Sequence, residues 1–406
     1  MSVLSDIDPQ DLAQAGWALV LPVGGSAERR AALGPLLEWR RTQAGERYRE
    51  LDYRPGETKT GFLARYRIGP GPVDPARLPY YLLLVGGPEE IPLKVQQQLD
   101  IQFAAGRVCF ATPQEYRRYA EGVVQAEQSA SRPVPGLTVF APTSPDDQPS
   151  RLLAEGLVGP LAAALAEAGT PVTTIMGPAA HKERLRSLLN DAGASALLLC
   201  AGHGVGFPAD DPRQPRHQGD LLCADWPGPG HGGPLPPGVY FGADDVGDAA
   251  ALAGRIVLLC ASYSAATPED DQFASQVLRE TTASARRPFV AGLAQRLLSC
   301  PGGALAVVGM AERVWLGAVA DDPLAREQVA VYRTLVRGLL DGRRIGAAME
   351  VVNERYAELA TVLSDELEEI AFGKQCDEAR ILGLWTGHND TRNMIVLGDP
   401  AVRLNR

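Results

Sequence analysis

Nowhere in the 406 residues do about 18 apolar residues follow one another, and residues 1–10 lack the basic-then-apolar text of a secretory leader. The expectation is a cytoplasmic, non-exported protein with no membrane partner. Positive charge is also short. Lys and Arg number 39 against 49 Asp and Glu, a formal net charge of −10, which argues against a ligand held by its phosphate backbone. Nucleic acid is therefore not expected as a partner. Cysteine is sparse, with six residues and no C-x-x-C pair, and Cys109, Cys200 and Cys260 lie in or end apolar runs. Free buried thiols suit that pattern better than a disulfide framework. The text contains no G-x-S-x-G, no H-E-x-x-H and no G-x-x-x-x-G-K-[ST], so serine-hydrolase, zincin and P-loop readings lack support. Cys200, His203, His217, Cys223 and His231 are too irregularly spaced for a zinc site. No metal or other cofactor is expected. The acidic pairs at 210–211 and 244–245 form no recognisable ion loop, which leaves a calcium requirement open without indicating one.

What is present is an alternation of strand and helix text. The length suits two α/β units. The first carries an apolar run at 17–23, a helical stretch at 27–41, a continuous apolar run in PYYLLLVGGPEEIP stopped by Gly-Gly-Pro, and an amphipathic helix at 114–129. SRPVPG at 131–136 is a plausible junction, because prolines and glycine favour extended or turn backbone. The expected division is 1–130 and 131–406. Beyond it, strands at 137–141, 172–175 and 196–200 alternate with helices at 150–168 and 180–192, which implies a parallel sheet with right-handed crossovers. A Pro/Gly-rich loop at 207–238 follows. Then come strands at 256–260 and 304–308, helices at 289–299, 326–340 and 344–372, and a last strand at 394–397.

Two buried strands end in reactive residues. ALLLCAGHG puts His203 just beyond one, and RIVLLCAS puts Cys260 at the end of another. Ligands of open α/β sheets bind outside the carboxyl ends of the strands, so neighbouring strands would bring these side chains to one crevice. A thiol with an imidazole nearby suits acyl transfer. Gly204 allows close backbone approach, and its N–H with that of Cys260 could form an oxyanion hole. A cysteine closing an apolar strand is, by itself, ordinarily a core thiol. The coincidence of both residues at strand ends is what suggests chemistry.

The sequence here resembles the caspase-like (clan CD) cysteine peptidases, in particular their bacterial gingipain-type and CHAT-domain branches. LLLCAGHG, GDLLCAD at 219–225, IVLLCAS and FVAGLAQRLLSCPGGALAVVGMAERVW at 289–315 follow the CHAT order. YYLLLVGGPEEIP, GRV at 106–108 and LGDPAVRL at 397–404 resemble gingipain-type text. The resemblance implies a caspase-like three-layer α/β sandwich with a mostly parallel central sheet, preceded by a smaller α/β subdomain without catalytic residues. It also implies a cysteine endopeptidase with Cys260 and His203 as its dyad and proteins or peptides as substrates. The sequence departs from it where Ala-Ser-Tyr-Ser follows the cysteine, without the glycine many members carry there.

In such folds the group selecting the residue before the scissile bond often follows the first catalytic strand, where this chain reads TSPDD. Asp146 or Asp147 would then favour Arg or Lys, with Met310 and Trp315 walling the pocket. Relatives are often activated by cleavage after the nucleophile. Arg279, Arg286 and Arg287, or Arg213 and Arg216 in the long loop, are the candidate positions, for the protein itself or for an upstream activating protease. A stress, immunity or cell-death role is what such relatives suggest. The rival expectation is a catalytically silent caspase-like scaffold that binds a protein partner through the same cleft.

Overall fold

The computed structural model describes residues 3–271, 283–315 and 323–405. In chain order the strands are β1 (Trp17–Pro22), β2 (Tyr48–Tyr53), β3 (Tyr81–Val85), β4 (Ala104–Val108), β5 (Val134–Ala141), β6 (Val172–Met176), β7 (Ser195–Ala201), β8 (Leu221–Leu222), β9 (Tyr240–Phe241), β10 (Ile256–Cys260), β11 (Ala266–Thr267), β12 (Phe289–Val290), β13 (Ala306–Met310) and β14 (Met394–Gly398). Ten of them form one sheet in the order β2-β1-β3-β4-β14-β13-β10-β7-β5-β6, while β8/β9 and β11/β12 are two-stranded ribbons. The central strands β3, β4, β10 and β13 are buried at every position, which explains why β3, β10 and β13 read as unbroken apolar runs rather than alternating ones.

Within the ten-stranded sheet every pairing is parallel except β13 with β14. The last strand of the chain is therefore the seam: it runs parallel to β4 and antiparallel to β13, and joins both parts of the sequence in one sheet. One hydrophobic core extends through both. The segment expected as a junction, 131–136, follows the helix Pro113–Gln128 and runs into β5, whose pairing with β7 shifts register between Val134 and Leu137. That helix begins with a capping box at Thr112 and Glu115, carries Pro113 in its first turn, and buries Tyr116, Tyr119, Ala120 and Val123 on one face.

The seam explains two of the motifs. A Cβ on Gly106 would sit 2.3 Å from the Gly398 carbonyl oxygen, so only glycine lets β4 and β14 approach this closely. Arg107 beside it is fully buried and donates to Gly86 O, Ile91 O and Gln96 Oε1, tying the Gly-Gly-Pro turn to β4. Asp399 in LGDPAVRL is also fully buried. It accepts from Trp17 Nε1 at 2.9 Å and from Arg40 Nε at 2.6 Å, and Arg40 also pairs with Glu127 at 2.6 Å. Without it Arg40 would keep Glu127 but lose its buried Nε partner, and Trp17 Nε1 would be orphaned, so Asp399→Ala is expected to cost about 3–5 kcal/mol in urea unfolding.

Two helical segments differ from the expectation. The stretch expected at 150–168 is broken into Gln148–Leu153, a wide π turn at Ala154–Val158, and Gly159–Glu167. Pro160 has no N–H to give a regular helical bond, and Gly159 N–H reaches back to Ala154 O. The helix Glu378–Asn393 was not expected, since Gly383 and Gly387 interrupt an otherwise polar text without helical apolar period. It supplies Asp390 beneath the site.

Candidate functional site

The carboxyl ends of β5, β7, β10 and β13 converge, as the parallel register requires. After β7 the Gly202 N–H donates to Cys260 O at 3.1 Å, so the chain beyond β7 stays tied to the end of β10. His203 comes next, partly open to solvent. Its Nε2 lies 2.7 Å from Asp147 Oδ2, and the Asp147 side chain is only 6% exposed. Asp147 caps the helix Gln148–Leu153 that follows β5, accepting from Ser150 N–H at 3.3 Å. The edge of Trp226 faces the imidazole, with ring centroids 6.0 Å apart. A buried carboxylate so placed fixes the ring orientation and leaves Nδ1 as the nitrogen for other work.

Cys260 is not brought to this place. It is 3% exposed, its thiol donates to Tyr332 Oη at 3.3 Å, and burial pushes that thiol up to about 12. A cavity of about 650 Å³ is lined by His203 and Gly204 on one side and Tyr263, Arg313 and Trp315 on the other, and Cys260 is not among its walls. Ser262 is. Cys260 and Ala201 are the last pair of β10 and β7, and Ser262 and His203 each come two residues after that pair. A Cβ on Gly204 would lie 1.8 Å from the Ser262 carbonyl oxygen, which measures how closely the two segments meet and why the residue after the histidine is glycine.

The turn carrying Ser262 is built as a sharp corner. Tyr263 has φ +60, in the left-handed region that a bulky residue rarely enters. It is held by Tyr263 N–H to Glu312 O at 2.9 Å, Ala265 N–H to Met310 O at 2.9 Å, and Ser264 Oγ to Leu259 O at 2.8 Å. Ser262 Oγ accepts from Val314 N–H at 3.0 Å. The N–H groups of Ser262 and Gly204 have no hydrogen-bond partner among the described residues.

Several expected site residues fall elsewhere. Asp147 is engaged by His203 and Asp146 is exposed on the preceding turn, and neither lines the larger cavity. Met310 ends β13 in the core at 1% exposure, whereas Trp315 does wall the cavity. Gly204 lines it too, but Cys260, its expected partner as oxyanion donor, does not. Arg213 pairs with Asp211 at 2.6 Å and Arg216 with Asp244, and Arg286 and Arg287 are exposed. Arg279 lies outside the described residues.

Arg313 was missed by the sequence reading. It is the one Lys or Arg among the residues lining the cavity, and no carboxylate lines it. Asp271 approaches Arg313 at 3.7 Å, and Tyr263 hydrogen-bonds to it.

Below the turn, Asp390 is buried and accepts from Trp315 N–H at 3.1 and 3.3 Å, while burial pushes its carboxyl up to about 8. A group raised in the folded state holds a proton that the unfolded chain releases above about pH 4, so its contribution is full at low pH and lost as pH rises to about 8. Glu312, pushed up to about 7 by burial, acts in the same direction. Melting temperature is therefore expected to fall between pH 5 and 8, with a smaller slope in Asp390→Asn. An unchanged slope in that variant would refute the assignment.

No family model matches the sequence, and no curated protein matches it. Solved structures do. One is the complex of Porphyromonas gingivalis RgpB pro- and mature domains, with TM-score 0.51 and 12% identity over 96% of this chain and 80% of that one. Another carries the description "Structure of Protease", with TM-score 0.54 and 13% identity over 98% and 80%. The fold is caspase-like. The ten-stranded, mostly parallel sheet shares the gingipain architecture, and at this identity the likeness concerns the fold.

Proposed function

We propose that this caspase-like chain is a hydrolase of peptide bonds in which Ser262 attacks, His203 is the general base and Asp147 orients the imidazole. The observation that carries the reading is that Ser262 and His203 wall one cavity while His203 Nε2 rests on a buried carboxylate. Ser262 Oγ would give its proton to the imidazole as it bonds to the substrate carbonyl carbon. The imidazolium then returns that proton to the leaving amine, and water repeats the cycle on the acyl-enzyme. The free N–H groups of Gly204 and Ser262 supply donors for the developing oxyanion. The solved neighbours are proteases by description, which supports a peptide as substrate.

Arg313 sets the expected preference. Arg313 is the one cationic side chain among the described residues lining the cavity, with Asp271 approaching it only to 3.7 Å, and such a guanidinium favours an acidic side chain over a basic one. Peptides with Asp or Glu before the scissile bond are expected to exceed those with Arg or Lys by about 10- to 100-fold in kcat/KM, corresponding to about 1.5–3 kcal/mol for a charged hydrogen bond. Arg313→Ala should erase the difference. A preference for Arg or Lys in the unaltered protein would sink this assignment.

A second reading has one observation in its favour. Ser262 Oγ is already held by Val314 N–H, as a structural hydroxyl would be, and the buried Cys260 offers no thiol to the cleft. The cleft would then bind a peptide without cleaving it. A fluorophosphonate probe separates the two: labelling at Ser262 that depends on His203 supports the hydrolase, and peptide binding without labelling supports the scaffold.

A further inference from the structure

At the opposite end of the same strands lies a second cavity, of about 610 Å³. Its walls are the segments that enter β5, β10 and β13, together with one face of the helix Pro113–Gln128 and Asn405 near the end of the chain. It thus lies where the two parts of the sequence meet, away from the carboxyl ends that carry His203 and Ser262.

Three arginines line it: Arg118, Arg132 and Arg255. None forms an ion pair among the described residues, although the protein as a whole carries a net charge of −10. Glu121, the one carboxylate in the wall, is already paired with Arg117 at 2.8 Å. Arg255 is 4% exposed, and among the described residues its guanidinium makes one hydrogen bond, from Nη2 to the Asp191 carbonyl at 2.6 Å. Burial without an acid partner pulls its guanidinium below the ordinary value. Arg118 Nε is buried with no partner at all. An acidic protein ordinarily neutralises buried guanidinium groups with its own carboxylates, as Arg40 is neutralised here by Asp399 and Glu127. Arg107, buried without a carboxylate, instead fills its guanidinium with three acceptors; Arg118 Nε and Arg255, with one guanidinium bond, lack that satisfaction, and this shortfall singles out the cavity. Ala192, Ala251, Pro133 and Leu305 add small apolar surface to it.

We infer that this cavity binds a small anion bearing a condensed phosphate chain, held by Arg118, Arg132 and Arg255. Guanidinium forks match phosphate oxygens in paired hydrogen bonds, and several phosphates in a row engage arginines from separate segments at once. The chain could come from inorganic polyphosphate or from a nucleotide, whose base would use the apolar part of the wall.

The test is calorimetric titration of the full-length protein with sodium tripolyphosphate, with ATP and with sulfate, paired with melting curves. Saturable binding of tripolyphosphate with Kd below about 100 μM is expected, with a rise in melting temperature. The double variant Arg118→Gln/Arg132→Gln should weaken it at least about tenfold. Arg255 is left intact because it is buried beside β10. Arg117→Gln, on the same helix but paired with Glu121, should leave affinity unchanged. Equal affinity for tripolyphosphate and ATP assigns recognition to the phosphate chain alone, and tighter ATP adds the base. No saturable binding at 1 mM, sulfate binding as tight as tripolyphosphate, or full affinity in the double variant would each overturn the inference.

Discussion

Ser262→Ala is expected to lower kcat/KM on a cleaved peptide at least about 10³-fold, the scale on which a nucleophile matters in serine hydrolases. Cys260→Ala should stay within about threefold of the starting activity, because the thiol is buried against Tyr332 and does not line the cavity. Its effect should appear instead in stability. It deletes the thiol's bond to buried Tyr332 Oη, at about 1–3 kcal/mol for an orphaned buried polar group. The pair of variants is decisive because the two alternatives give opposite patterns: activity lost with Cys260→Ala and kept with Ser262→Ala would return the nucleophile to the cysteine. A third variant checks the position itself. Ser262→Cys should react with iodoacetamide in a His203-dependent way, since a thiol there would meet the imidazole that Cys260 does not.

Asp147→Asn should cut kcat by about 10²- to 10⁴-fold, the range seen when the carboxylate behind a catalytic imidazole is lost. The asparagine can still cap the helix Gln148–Leu153, so melting temperature should change little. That separation is what makes the variant informative, for a merely structural aspartate would move stability first. Asp146→Ala, one residue away on the exposed turn, should leave both unchanged. Peptide binding that survives in Asp147→Asn while turnover collapses would place the residue behind the imidazole and not at a specificity pocket.

The difference between the expected nucleophile and the proposed one has a traceable cause. Both strands beside the site contain the text LLCA, ending in Cys200 and Cys260 followed by alanine. Cys200 is a buried core thiol, pushed well up by burial, and the matching text marked Cys260 as its counterpart in the core. What the text could not reveal was the offset between neighbouring strands. The two candidates differ by two residues of offset along the pairing, and register is set by packing across the whole sheet. Asp147 was legible as a carboxylate of interest but not as the partner of His203, because cap and imidazole partner are indistinguishable until the helix and the β7 terminus are placed together.

The amino-acid sequence by itself determined the strand–helix alternation, the parallel character of the buried runs, and the histidine-glycine at a strand end, since all of these are written in local apolar period and turn residues. Tertiary structure alone decided the rest. It closed the two parts into one sheet through β14, turned Cys260 toward Tyr332 and Ser262 toward the cleft, set Asp147 behind His203, and left Arg313 facing the cavity. These are relations between residues tens to hundreds of positions apart, and such pairings depend on register and crossover geometry that no local pattern encodes.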